Sequence, residues 1–247
     1  MGEYTIFPNA PITEALLDIR VEYSREIALA ELESFHNLIK EDFPEKQQRI
    51  QFTAGFKISP EGPEALQTSG VPDGYLFRST IYKKVVQARL DGFTFNKIKP
   101  YENWEKFQLE AHRLWDLYSK MTNPAKITRI ALRYINRIEI PLPIKDFKEY
   151  ILGIPDIPPK LPQELSHFFM QFTILNPDIE AKAIITLTKE DPNNNNTLPI
   201  IFDIDVFRDN IYINNETKIW DDFESLRIFK NAIFFNSITE KTKELFK

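Results

Sequence analysis

The stretch Leu16-Leu17-Asp18-Ile19-Arg20-Val21-Glu22-Tyr23 alternates without a break. Leu17, Ile19, Val21 and Tyr23 share one face; Asp18, Arg20 and Glu22 share the other. Strict period-2 alternation describes a strand with one buried and one wet face, the pattern of antiparallel sheets. The same pattern returns over residues 50–58, 75–82, 84–90 and 93–98, and Asp91-Gly92 between the last two is a strong hairpin signal.

Helical periodicity separates these strands. Residues 24–42 carry Ala28, Leu32, Phe35 and Ile39 on one stripe, with Ser24 as a cap and Pro44 as the stop. Residues 102–121 place Trp104, Phe107, Ala111, Leu114, Tyr118 and Met121 three and four apart, an amphipathic core helix. The order then recurs: a strand over 127–140, a short helix over 145–152, a proline-rich link, and strands over 167–175, 181–189 and 198–208. A short strand is expected at 211–213, a helix at 220–235 with Trp220 matching Trp104 as a core anchor, and a final helix that Ser237-Ile-Thr-Glu240 would cap. The expected fold is therefore α+β. Two β-α-β-β-β(-β)-α pseudo-repeats, residues 1–124 and 125–247, form one compact unit. Their strands make a curved antiparallel sheet, covered on one face by the long helices, in an order that resembles the TATA-binding-protein fold.

Two boxes, Pro8-Asn-Ala-Pro-Ile-Thr-Glu-Ala-Leu-Leu-Asp-Ile-Arg-Val21 and Arg129-Ile-Ala-Leu-Arg-Tyr-Ile-Asn-Arg-Ile138, stand in order with Tyr101 and Trp104 between them. Together they resemble a sporadically distributed family of uncharacterised bacterial proteins of about this length. The resemblance implies that Asn9, Pro11, Glu14, Arg20, Tyr101, Trp104, Arg133, Tyr134 and Asn136 belong to the family pattern, and it brings no activity with it.

Composition removes many function classes. The 247 residues include no cysteine, which excludes disulfides, thiolate metal sites and thiol nucleophiles. With 31 basic and 36 acidic residues the net charge is −5, so general attraction to nucleic acid or anionic lipid is not expected. No secretory signal or membrane-spanning run is expected, no phosphate-cradling glycine loop or serine-nucleophile turn can be read, and His36, His112 and His167 lack metal-ligand spacing. The expected setting is cytoplasmic, without a cofactor or metal. The Asn run at 193–196 is expected as a hairpin tip.

The candidate site is the charged strand face. Asp18, Arg20, Arg133, Arg137, Asp203 and Asp205 all leave the core on the wet side, where carboxylates at i and i+2 point the same way and arginines can clamp an anion bidentately. Asn136 is the single polar member of an otherwise apolar strand face, and it must be hydrogen-bonded there. It is expected to act as a clasp, for example to the Pro8–Pro11 loop, or as a ligand contact. The leading expectation is a non-enzymatic protein that binds a small anionic ligand or a partner segment. The alternatives are a metal-dependent phosphohydrolase built on Asp203 and Asp205, and a structural or oligomerising protein such as a homodimer.

Overall fold

The computed structural model describes residues 6–51, 54–59, 62–67, 70–154, 157–158, 160–161, 167–191, 196–213 and 216–247. In chain order the elements are β1 (Ile12–Glu22), α1 (Leu29–Ser34), α2 (His36–Ile39), β2 (Glu45–Gln51), β3 (Ala54–Ser59), β4 (Gly62–Gln67), β5 (Val71–Ser79), β6 (Lys84–Arg89), β7 (Gly92–Ile98), α3 (Trp104–Thr122), β8 (Lys126–Pro141), β9 (Phe169–Asn176), β10 (Ala181–Lys189), β11 (Thr197–Arg208), α4 (Glu216–Ser237) and α5 (Glu240–Glu244). Nine strands form one antiparallel sheet in the order β2-β5-β6-β7-β1-β8-β11-β10-β9, and β3 and β4 form a separate hairpin. The fold is α+β.

The sheet is built outward from its middle. β1 pairs with β8 so that Leu17 faces Leu132 and Ile19 faces Ile130, while Asp18 faces Ala131 and Arg20 faces Arg129. The first set is buried and the second is on the opposite, wet face. Gly92 shows how tightly the next strand lies against β1. It has φ +151° and pairs with Arg20, and a Cβ there would meet the Ile19 carbonyl oxygen at 2.2 Å. Only glycine fits that approach.

Both long helices pack on the apolar face. α3 buries Trp104, Phe107, Ala111, Leu114, Trp115 and Tyr118. Asn103 caps its start by accepting from the Lys106 N–H at 2.9 Å, and Asn123 ends it in the left-handed conformation. α4 packs on β8 and β11 through Ile219, Phe223, Leu226, Ile233 and Phe234. None of the described helices is long and apolar enough to cross a membrane.

Several elements differ from their expected bounds for local reasons. The first helical segment buries Leu32, Phe35 and Ile39 as expected, but it begins at Leu29, where Glu31 accepts the Ala28 N–H and salt-bridges Arg25. Residues 145–152 hold only a 3-10 turn at Phe147–Glu149, and the expected strand at 211–213 is one bridge between Tyr212 and Ile127. Thr239, not Ser237, caps α5, its Oγ1 accepting the Thr242 N–H at 3.3 Å. Phe52, the side chain of Phe56 and most of the Asn run lie outside what is described.

The matching of Trp104 and Trp220 fails in one respect. Trp104 is buried, whereas Trp220 is half-buried, sits against the His112 ring at 4.3 Å and leaves its indole N–H without a partner among the described residues. Phe223, one helical turn on, takes the anchoring position in α4. Trp104→Ala should therefore cost about 3–5 kcal/mol in chemical denaturation, and Trp220→Ala clearly less. Equal losses at the two sites would contradict this packing.

Candidate functional site

Asp18 organises the wet face. It is a carboxylate in the middle of the sheet, flanked in register by Thr94 on β7 and by Ala131 on β8. The small Ala131 side chain leaves room for the arginines on either side of it. Asp18 Oδ1 accepts from Arg89 Nη2 at 2.8 Å and from the Thr94 hydroxyl at 2.7 Å. Its Oδ2 accepts from Arg20 Nε and Arg129 Nη1, each at 3.2 Å. Burial alone would push the Asp18 pKa up, but the guanidiniums of Arg89 and Arg20 and the Thr94 hydroxyl hold it below the usual carboxylate range.

Arg89 is the second organiser. It is buried, it donates to Asp91 Oδ1 at 2.9 Å, and it also bonds the Thr94 hydroxyl. Tyr118 pins the same turn from below, its hydroxyl 3.0 Å from the carbonyls of Arg89 and Gly92. Helix packing thus fixes the strand turn that carries the charged centre.

Around this centre the wet face is hollow. A concavity of about 680 Å³ spans β2, β6, β7, β1, β8 and β11. Five arginines (Arg20, Arg49, Arg89, Arg129, Arg133) line it with three aspartates (Asp18, Asp205, Asp209), and Asp73, Asp91 and Asp203 pair with Arg49, Arg89 and Arg133 from outside the lining. Arg133 binds Asp203 with both Nε and Nη2, while its Nη1 takes no hydrogen bond among the described residues. Arg129 lies over the Phe207 ring at 4.5 Å. Asp205 is poorly compensated, with Arg129 Nη2 at 3.5 Å as its salt bridge. Burial pushes its pKa up, Arg129 and Arg133 oppose this in part, and the neighbouring carboxylates of Asp203 and Asp18 add to the rise.

The residues singled out from sequence do not form one site. Asp18, Arg20, Arg133 and Asp205 line the same concavity, with Asp203 attached through Arg133. Arg137 points elsewhere and pairs with Glu139 and Glu190. Asn136 is on the opposite face, buried, where its amide donates to the carbonyls of Phe202 at 3.0 Å and Tyr134 at 3.3 Å. It is a clasp, but to β11 and its own strand. The Pro8–Pro11 loop is held instead by the Arg137 N–H, which donates to the Pro11 carbonyl at 2.8 Å.

Asn136 also lines a second cavity, of about 920 Å³, between the N-terminal segment, β8 and the two long helices. The residue there that sequence reading missed is Lys230. Its signal was present: Ile219, Phe223, Leu226, Lys230 and Ile233 share one stripe of α4, so a lysine stands where an apolar residue is expected. Among the described residues, no group of three or more histidine, aspartate or glutamate side chains is placed to hold a metal ion. No protein-family model, curated protein or solved structure matches the chain.

The two neighbouring aspartates should respond oppositely to neutralisation. Asp203→Asn should lower stability, because it leaves Arg133 without its bidentate acceptor. Asp205→Asn should be neutral or stabilising at pH 7. Since the folded pKa of Asp205 is raised, its carboxylate is penalised above that pKa and relieved below it, so any gain from Asp205→Asn should disappear as the pH falls. Denaturant titrations at pH 7 and pH 4 check both signs. Destabilisation by Asp205→Asn at pH 7 would contradict the assignment.

Proposed function

We propose that this is a binding protein whose concave sheet face holds a small anionic ligand between Arg20, Arg129 and Arg133. The observation that carries the reading is the convergence of five arginines in one concavity of a chain with net charge −5, with Arg133 Nη1 making no hydrogen bond among the described residues. Arginine forks suit phosphate or carboxylate because two parallel N–H donors match two oxygens. Asp18 and Arg89 serve as scaffold, holding Arg20 and Arg129 at the rim. Asp205 competes with the ligand for Arg129 and Arg133, and its raised pKa makes that competition weaker as pH falls. A phosphohydrolase using Asp203 and Asp205 gains less support, since both Asp203 oxygens already accept from Arg133.

We also read the two halves as a pseudo-duplication with TATA-binding-protein-like order. In each half the first strand lies at the centre of the sheet and the last strand beside it, as in β1 with β7 and β8 with β11, and a long helix follows that last strand, with the short α5 added in the second half. The β3–β4 hairpin and the lack of a true helix after β8 are departures from exact repetition. The family resemblance of the two sequence boxes brings no activity, so the reading rests on geometry.

Inorganic pyrophosphate serves as the probe, with calorimetry at low ionic strength as the measurement. Binding should weaken with added salt and with rising pH. Arg129→Gln or Arg133→Gln should each reduce affinity about tenfold, in line with ~1.5–3 kcal/mol for a hydrogen bond to a charged group, and Asp205→Asn should strengthen it. Absence of binding at millimolar probe, or affinity indifferent to both arginines, would overturn the reading.

A further inference from the structure

Among the described residues three cations are buried: Arg89, Arg208 and Lys230. The first two follow the usual rule that a buried charge is paired. Arg89 salt-bridges Asp18 and Asp91, and Arg208 salt-bridges Asp222. Lys230 breaks it. The residue is 9% exposed, yet among the described residues its amine makes no hydrogen bond and no ion pair. Its amine lies over the face of the Tyr134 ring, 3.9 Å from the ring centroid.

The surroundings of Lys230 resemble a small-molecule site. The cavity volume of about 920 Å³ lies within the ~300–1,000 Å³ range of such sites. Its walls combine apolar side chains, Phe7, Ile12, Trp104 and Phe234 among them, with polar and charged ones. Asn136 spends its amide hydrogens on two backbone carbonyls, which leaves its side-chain oxygen as an acceptor. The hydroxyls of Tyr101 and Tyr134 stand 3.0 Å apart, so one bond between them consumes one hydrogen and leaves the other to donate.

We propose that this cavity binds a small apolar carboxylic acid, with the carboxylate on the Lys230 amine and the hydrocarbon body against the aromatic walls. The carboxylate supplies a counter-charge that Lys230 lacks among the described residues, and the tyrosine hydroxyl hydrogen not used between Tyr101 and Tyr134 offers it a second donor. Other charged groups face the cavity from both helices. Arg227, beside Lys230 on α4, is engaged by Glu224, and Glu102 and Glu105 lie at the start of α3. The two glutamates put negative charge at the rim, which disfavours acids with more than one carboxylate. Burial, with Arg227 adding to it, lowers the Lys230 pKa to about 7. At pH 8 the empty cavity therefore holds mostly the neutral amine, and a bound carboxylate must bring a proton with it. This site and the concave sheet face lie on opposite sides of the sheet, so each reading can fail alone.

The experiment is calorimetry of the full chain with phenylacetate and with hexanoate, using phenylacetamide as the uncharged counterpart. Repeating the pH 8 titrations in buffers of different ionisation enthalpy reports proton uptake from the native protein, with no variant required. The carboxylates should bind at least tenfold more tightly than the amide, take up close to one proton at pH 8, and lose affinity as the pH rises above 7. Lys230→Met keeps the apolar stem, and it should fold and abolish the preference for carboxylate over amide. Pyrophosphate should not compete. Equal affinity for acid and amide, binding without proton uptake, a preference that survives Lys230→Met, or no binding at millimolar probe would each overturn the proposal.

Discussion

Everything in this fold hangs on the antiparallel pairing of β1 with β8. Side chains on a strand alternate with period 2, so a slip of one residue would exchange the faces of a whole strand. The observed register puts Leu17 and Ile19 with Leu132 and Ile130 under the helices, and it puts Asp18 and Arg20 beside Arg129 and Arg133 on the other side. One pairing thus fixes both the core and the charged concavity. It also sets Asn136 and Tyr134 against the helices, where the second cavity forms.

The two faces solve the problem of charge in different ways. On the wet face, cations and carboxylates are interleaved across strands, and a half-buried aspartate is tolerated because three guanidiniums and a hydroxyl surround it. Partial exposure screens the outer pairs, which contribute little to stability individually. What they provide is position, since arginines tied to fixed carboxylates present their remaining donors in a fixed geometry. Among the described residues, the apolar face has no such network around Lys230. An amine held without a partner opposes folding, and natural cores remove such groups unless something else retains them.

The alternation of residues 16–23 and the helical stripes were enough to read the fold class, the antiparallel sheet and its helical cover, because both rest on local periodicity. The convergence of Asp18, Arg20, Arg133 and Asp205 was only half legible. Period 2 sets the face a residue occupies, whereas strand order decides which residues on that face meet. Arg137 shows the difference, since it shares the face of Arg133 but pairs with Glu139 and Glu190. The roles of Trp220 and Trp104 could not be told apart from spacing, because the contact with His112 depends on how α4 lies against α3. Lys230 was legible as an exception to its own stripe, and its cavity was not, because the walls come from segments more than a hundred residues apart in the chain.

If the β1–β8 pairing is the joint on which both faces depend, it should be the last part of the sheet to open. Native-state hydrogen exchange, resolved by residue, measures this directly. The amides of Leu17, Ile19, Leu132 and Tyr134 should be among the slowest to exchange, with matching opening free energies on the two strands, and β2 and β9 at the sheet edges should exchange first. Early exchange in β1 or β8, with hairpins on either side still protected, would show two independently stable halves and contradict the account.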